Sequence, residues 1–274
     1  MDLIESKQYS YKSILVYILL SIFFSINLQS QEKNIEIKSA GSFDRNQSLF
    51  PDGNILSESQ TKKVHLRHEE MDIFSKKSIF FQKRNSFIAI GDVHVTQGDS
   101  IKLYCDSLNY DGVTRKFSSY GSVKFINDEM ELNSNVLFFD RNINEIFFNE
   151  NGKIIDSLST IESKKGKYLI DKKKYEFEDN VVINNPDYSI RSNMMDYFLD
   201  SKLAYFYKQS TIKTINYNIF CNEGFYDTKK KIGIFKNEAK VKSDERIIYG
   251  DSIYFDDNQQ YASASYAIKI IDQK

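Results

Sequence analysis

Proline is nearly missing from this chain, with two residues in 274, and tryptophan is missing altogether. Glycine is scarce too, at eleven residues. Typical usage is about 5% for proline and about 7% for glycine, so collagen-like and Pro/Gly-rich low-complexity organisation are excluded. Neither charge sign is in excess: 37 Lys and Arg face 38 Asp and Glu, a formal net charge of −1. Such a balance gives no net attraction to nucleic acid or to an anionic membrane surface. Charged residues at 27% and hydrophobic residues at 41% argue against disorder over the whole length. The two cysteines, Cys105 and Cys221, stand far apart, and no CxxC or Cys/His spacing of a metal site occurs. What the chain has in quantity is aromatic residues, 18 Tyr and 21 Phe. That composition suits many strands whose turns are made by Asp and Asn rather than by Gly and Pro.

The one long apolar run is Ile14 to Leu28, fifteen residues preceded by Lys7 and Lys12. It is shorter than the ~20 residues that span a bilayer. It reads as the apolar segment of a secretory signal, with Ser30 before a cut at Gln31. An uncleaved signal anchor is the alternative. Residues 1–30 are therefore assigned as leader or anchor, 31–60 as a polar linker, 61–260 as the folded domain and 261–274 as a C-terminal tail or edge strand. Export places both cysteines in an oxidising compartment.

An apolar doublet followed by Asp recurs as Tyr110-Asp111, Phe139-Asp140, Ile170-Asp171, Leu199-Asp200, Tyr226-Asp227 and Phe255-Asp256, with a degenerate copy at Phe81-Gln82. The steps are 29, 29, 31, 29, 27 and 29 residues. Ten positions before the Asp stand Ile101, Met130, Ile161, Ile190 and Tyr217. Eight before it stand Leu103, Leu132, Ser163, Ser192, Ile219 and Ile248. The position between is polar: Lys102, Glu131, Glu162, Arg191 and Asn218. Apolar-polar-apolar alternation predicts a strand with one buried and one wet face. Five residues before the Asp comes Asp106, Asn135, Asn222 or Asp251, with Gly166 and Met195 departing from the pattern. After it the alternation loses phase, as in a strand that bends round a corner between two sheets. The chain then returns through Val93, Val123, Ile154, Val181, Ile212 or Val241. The predicted fold is all-β, an open two-sheet stack of about six strand-pair repeats. Cys105 and Cys221 share one register four units apart, roughly 40 Å at two ~4.8 Å rungs per unit, beyond disulfide reach.

The run Gly91-Asp92-Val93-His94-Val95, then Cys105-Asp106-Ser107-Leu108-Asn109-Tyr110-Asp111-Gly112, then Gly121-Ser122-Val123, resembles the OstA-like family. That family is the periplasmic β-jellyroll group of lipopolysaccharide transport, which includes LptA, LptC and the N-terminal domain of LptD. Asn85 to Gly91 and Gly224 to Thr228 fit its Bacteroidetes-type version. The resemblance implies a periplasmic, non-enzymatic β-jellyroll that shields lipid A acyl chains between its sheets. It also implies end-to-end contact with itself or with jellyrolls of LptC/LptD type, bridging inner and outer membranes. The inward residues then become the lipid-contact candidates: Ile101, Leu103, Leu108, Met130, Leu132, Leu137, Ile161, Ile190, Ile219 and Ile248. No cofactor is implied. The open edges are expected around Val64 to Phe74 and at Ile247 to Phe255 with the tail Tyr261 to Ile271. An exported structural or adhesive β-repeat protein without a ligand is the alternative.

Sharper chemistry finds little support. His65-Leu66-Arg67-His68-Glu69 suggests a metal site, but positions i and i+3 of a strand face opposite ways, so a wet-face strand is expected there. Asp residues placed regularly at turns read as turn formers rather than paired acid and base. All three histidines, His65, His68 and His94, lie before residue 95, and no nucleophile elbow exists. Charge on one face of nearly every strand disfavours an outer-membrane barrel, where each Lys or Arg facing lipid costs ~2–4 kcal/mol. Lys172 to Lys174 and Lys229 to Lys231 follow turns. They read as solvated turn charge, or as contacts to lipid phosphates at the mouth of a groove.

Overall fold

The computed structural model describes residues 33–156 and 158–273, so the leader assignment falls outside the described residues. Strands dominate, and the described residues hold no α-helix, only the 3-10 turns Gln82–Arg84 and Ile170–Lys172. Eight long strands organise the rest: Ser86–Gln97, Ile101–Asp111, Lys116–Ile126, Glu131–Asp140, Lys174–Asn184, Tyr188–Phe198, Ile232–Lys242 and Arg246–Asp256. Each bends near its middle, where the antiparallel register breaks. One half pairs in a first sheet and the other half in a second.

The remaining strands do the same as broken pairs. Thr160–Ser163 and Lys165–Leu169 lie in different sheets, as do Glu145–Phe148 and Gly152–Ile155. Sheet I runs from Glu36–Ser39 through Val64–His68 to Lys269–Asp272, and sheet II from Ser42–Asp44 to Tyr261–Ser265. Their inner faces form one apolar cluster, with Tyr217, just before the sheet I strand Asn218–Cys221, set edge-on against Phe255 of sheet II at 4.9 Å. This is the two-sheet antiparallel β-jellyroll that the alternation and phase change predict.

The repeat is more regular than its Asp markers indicate. From Gly98 onward the outward corner and the left-handed turn residue recur at 29 residues. The outward corner falls at Asp106, Asn135, Lys164, Asn193, Asn222 and Asp251. A left-handed turn residue falls at Arg115, Asn144, Lys173, Lys202, Lys231 and Gln260. The 31- and 27-residue steps arise because Leu169 and Phe198 occupy the strand-end slot in two copies. Asp171 and Asp200 stand two positions further on, inside the turn. The turn reading of Asp holds where Asp closes the strand: the Asp111 and Asp227 carboxylates each accept two backbone N–H groups.

In the corrected register one inward column reads Leu103, Leu132, Ile161, Ile190, Ile219 and Ile248, apolar in every copy. Ile161 and Ile190 thus belong with Leu103, not with Ile101. Beside the corner lies a small-residue column, Cys105, Ser134, Ser163, Ser192, Cys221 and Gly250, which accounts for both cysteines. Both thiols are buried, and burial pushes each up to about 12.

Return strands turn their corner through paired left-handed residues, Gly91-Asp92, Gly121-Ser122, Asp179-Asn180 and Asn237-Glu238. Such conformations favour Gly, Asn and Asp, which accounts for Gly91 and Gly121 at two of these corners. Gly121 is additionally pinned, because a Cβ there would lie 2.2 Å from the Asp106 carboxylate.

Two expectations need correction. The segment 31–60 is not merely a linker: it carries Glu36–Ser39, Ser42–Asp44 and Asn54–Ser57, which add the first rungs of both sheets. These strands are short and mostly exposed, so their alternation is weak. Consequently Val64 to Phe74 is not an edge, being flanked on one side by Glu36–Ser39 and on the other by the strand Ser86–Gln97. At the other end Ile247 to Phe255 is covered by Tyr261–Ser265 and Lys269–Asp272, so the tail itself forms both edges.

Candidate functional site

The interior between the sheets collects the inward columns. Leu103, Leu108, Met130, Leu132, Leu137, Ile161, Ile190 and Ile219 are buried within the common cluster, while Ile101 and Ile248 are half-buried against it. A further column was missed in the sequence: Tyr110, Phe139, Tyr168, Tyr197, Tyr226 and Phe255, all buried, end the outward strand of each repeat in sheet II. The doublet-Asp marker concealed it in two copies, where Ile170 and Leu199 stood in for Tyr168 and Tyr197. Burial pushes the phenols of Tyr110, Tyr168, Tyr197 and Tyr226 up, so these rings stay neutral.

These rings lie where the sheets end opposite their shared corner, and the turn edges meet there. Charged turn residues cross this mouth at matching positions. Arg115 and Arg141 of sheet II reach Glu69 of sheet I at 2.5 and 3.3 Å. Lys173 pairs with Glu129 at 2.8 Å, and the Tyr168 hydroxyl donates to the same carboxylate at 3.1 Å. Lys231 stands 3.8 Å from Asp187. The lysine runs are therefore partly engaged in closing the mouth. Lys174 differs, bonding along its own sheet to Asp196 at 2.7 Å.

At both ends of the stack the inward columns run out into solvent. Ile270 continues the column of Phe125, Ile154, Ile183, Ile212 and Val241, yet is 57% exposed because no further rung covers it. At the opposite end Ile37 and Phe43, paired with buried Leu66 and Leu56, are 40% and 60% exposed. Among the described residues, Ser42–Asp44, Tyr261–Ser265 and Lys269–Asp272 each pair with a strand on one side only, which leaves an edge beside these side chains.

His65 and His68 diverge as the strand geometry requires. His65 lies on the outer face, 2.5 Å from Asp72 and stacked on Phe74. His68 points inward, against the expectation of a wet face, with Nδ1 2.6 Å from the Tyr110 hydroxyl. Among the described residues no cluster of His, Cys, Asp and Glu is arranged to hold a metal ion.

The architecture is that of an all-β, two-sheet jellyroll with an apolar interior that reaches both ends of the described stack. The family model of OstA-like proteins matches residues 32–193, more than half of the chain, and the chain belongs to that family. A solved structure from Pseudomonas aeruginosa, LptH, described as the LptA-homologous periplasmic component of the conserved lipopolysaccharide transport device, shares 14% identity. The match covers 64% of this chain and 95% of that one at a TM-score of 0.20, too low to support inference about geometry or role. No curated protein matches the chain.

Proposed function

We propose that this chain is a periplasmic, non-enzymatic module of lipopolysaccharide transport, holding acyl chains between its sheets and joining end to end with other jellyrolls. Membership of the OstA-like family supports the general role. The observation that carries the finer reading is the continuity of the interior: one apolar cluster runs the length of the stack and emerges at both ends as Ile37, Phe43 and Ile270. Burying these residues against a neighbouring copy, or a jellyroll of LptC/LptD type, removes apolar surface from water and pairs the open edges. A conduit would gain a continuous apolar path from such a joint.

The ten inward candidates are proposed as the acyl-chain surface. Ile101 and Ile248, half-buried at the mouth side and at the last rungs, are the first contacts. Deeply buried Leu132 or Ile190 would meet an acyl chain only after the sheets part. The tightness of this packing favours the second reading, a ligand-free structural β-repeat protein. Extraction of the full chain purified from its native envelope, followed by mass spectrometry of bound lipid, separates the two. Stoichiometric lipopolysaccharide supports carriage, and a lipid-free, fully folded protein supports the structural reading.

A further inference from the structure

One of the three mouth crossings differs from the others in charge. At Lys173–Glu129 and Lys231–Asp187 a single ammonium meets one carboxylate across the mouth, and Lys173 has a second, Asp200, at 3.4 Å. At Glu69 a single carboxylate serves two guanidiniums, Arg115 and Arg141. The Arg141 side chain is 5% exposed, and it donates from Nη1 to the Tyr110 hydroxyl at 2.8 Å, which in turn contacts His68. The Nε atoms of both Arg115 and Arg141 are buried without a hydrogen-bond partner. Arg141 is the buried cation here, and it shares its one carboxylate with the partly solvated Arg115, whose side chain is 39% exposed. A buried cation so shared, with a donor unused, is costly unless an anion completes it. Paired guanidinium forks suit the tetrahedral oxygens of a phosphate, which carries more charge and more acceptors than one carboxylate.

Position indicates which anion. The pair stands at the rim of the apolar interior, directly beside the aromatic column that begins at Tyr110. An amphiphile with its tails between the sheets would present its head group at this rim. We propose that Arg115 and Arg141 form a binding site for the phosphate monoester of an acylated head group, closed by Glu69 until that phosphate displaces its carboxylate. The site rests on the carrier reading only for its natural ligand, because the phosphate chemistry is testable alone.

The test uses the full chain in neutral detergent. Inorganic phosphate is titrated by phosphorus NMR, and two fluorescent amphiphiles, a phosphorylated acylated disaccharide and its dephosphorylated form, are titrated by polarisation. The wild type should bind phosphate and prefer the phosphorylated amphiphile. Arg115→Gln with Arg141→Gln should cost about tenfold or more on both phosphate ligands, as for loss of charge-assisted hydrogen bonds. Affinity for the dephosphorylated form should not change. Glu69→Gln, which keeps both arginines, should tighten phosphate binding, so the inference is decided even where the double variant fails to fold. Phosphate affinity that is unchanged or weaker in Glu69→Gln overturns the site. Phosphate binding by the wild type with no binding of either amphiphile would leave the site standing and remove the carrier reading.

Discussion

Leu132 and Glu131 are neighbours on one strand, and the face assignment predicts opposite consequences for them. Leu132 is 1% exposed and lies between Phe125 and Ile154 in adjacent strands, both buried. Leu132→Ala removes three carbons from apolar contact, worth about 2–2.5 kcal/mol of transfer free energy. Both cross-strand neighbours are fixed in their ladders, so collapse is limited and a cavity remains, raising the loss to about 3–5 kcal/mol. Glu131 faces outward and pairs with Lys124 at 2.7 Å, each side chain about a third or more exposed. Screening and side-chain entropy reduce that pair to about 0–1 kcal/mol, so Glu131→Ala should scarcely change stability. Urea unfolding followed by far-UV circular dichroism measures both. Comparable losses from the two variants would refute the assignment of inner and outer faces, and with it the register of the repeat.

Further expectations concern the corners, turns and thiols. Gly121→Ala should cost more than Gly98→Ala in the same unfolding assay, since both residues have positive φ but only Gly121 lacks room for a Cβ. Asp111→Ala should lose about 1 kcal/mol through its two orphaned N–H groups, and Asp111→Asn, which keeps an acceptor, should recover most of it. Cys105 and Cys221 should resist a maleimide at pH 8 in the folded protein and react fully in urea. Their raised folded pKa values stabilise the fold fully below the ordinary thiol value of 9.0, and this contribution should fall as pH climbs from there toward 12. Equal maleimide rates in folded and unfolded protein would contradict the small-residue column.

Much of the fold was legible because a strand's two-residue period and a corner's change of phase are both written in local order. Asp106, Asn135, Asn222 and Asp251 marked corners correctly from their polarity alone. Lys164 and Asn193 were missed because the neighbouring turns exchange Asp for Leu169 and Phe198 at the strand end, which shifted the marker by two. The first rungs were illegible for a different reason: Glu36–Ser39 and Ser42–Asp44 are edges, and an edge with few buried positions has almost no alternation to show. The mouth was least visible of all. Glu69, Arg115 and Arg141 meet across 46 and 72 residues of chain, through a closure of two sheets that no local pattern specifies. The inward candidates that precede the corner, such as Leu103 and Leu132, by contrast follow directly from alternation.

The central claim is that the inward columns meet acyl chains and the outward faces do not. Photocrosslinking amino acids placed one at a time at Ile101, Ile248 and Ile270, and at outward Tyr104, Glu131 and Tyr254, test it in the intact cell envelope. The account predicts lipopolysaccharide adducts at the three inward positions and none at the three outward ones. Adducts absent from all six, or equal on both faces, would contradict it.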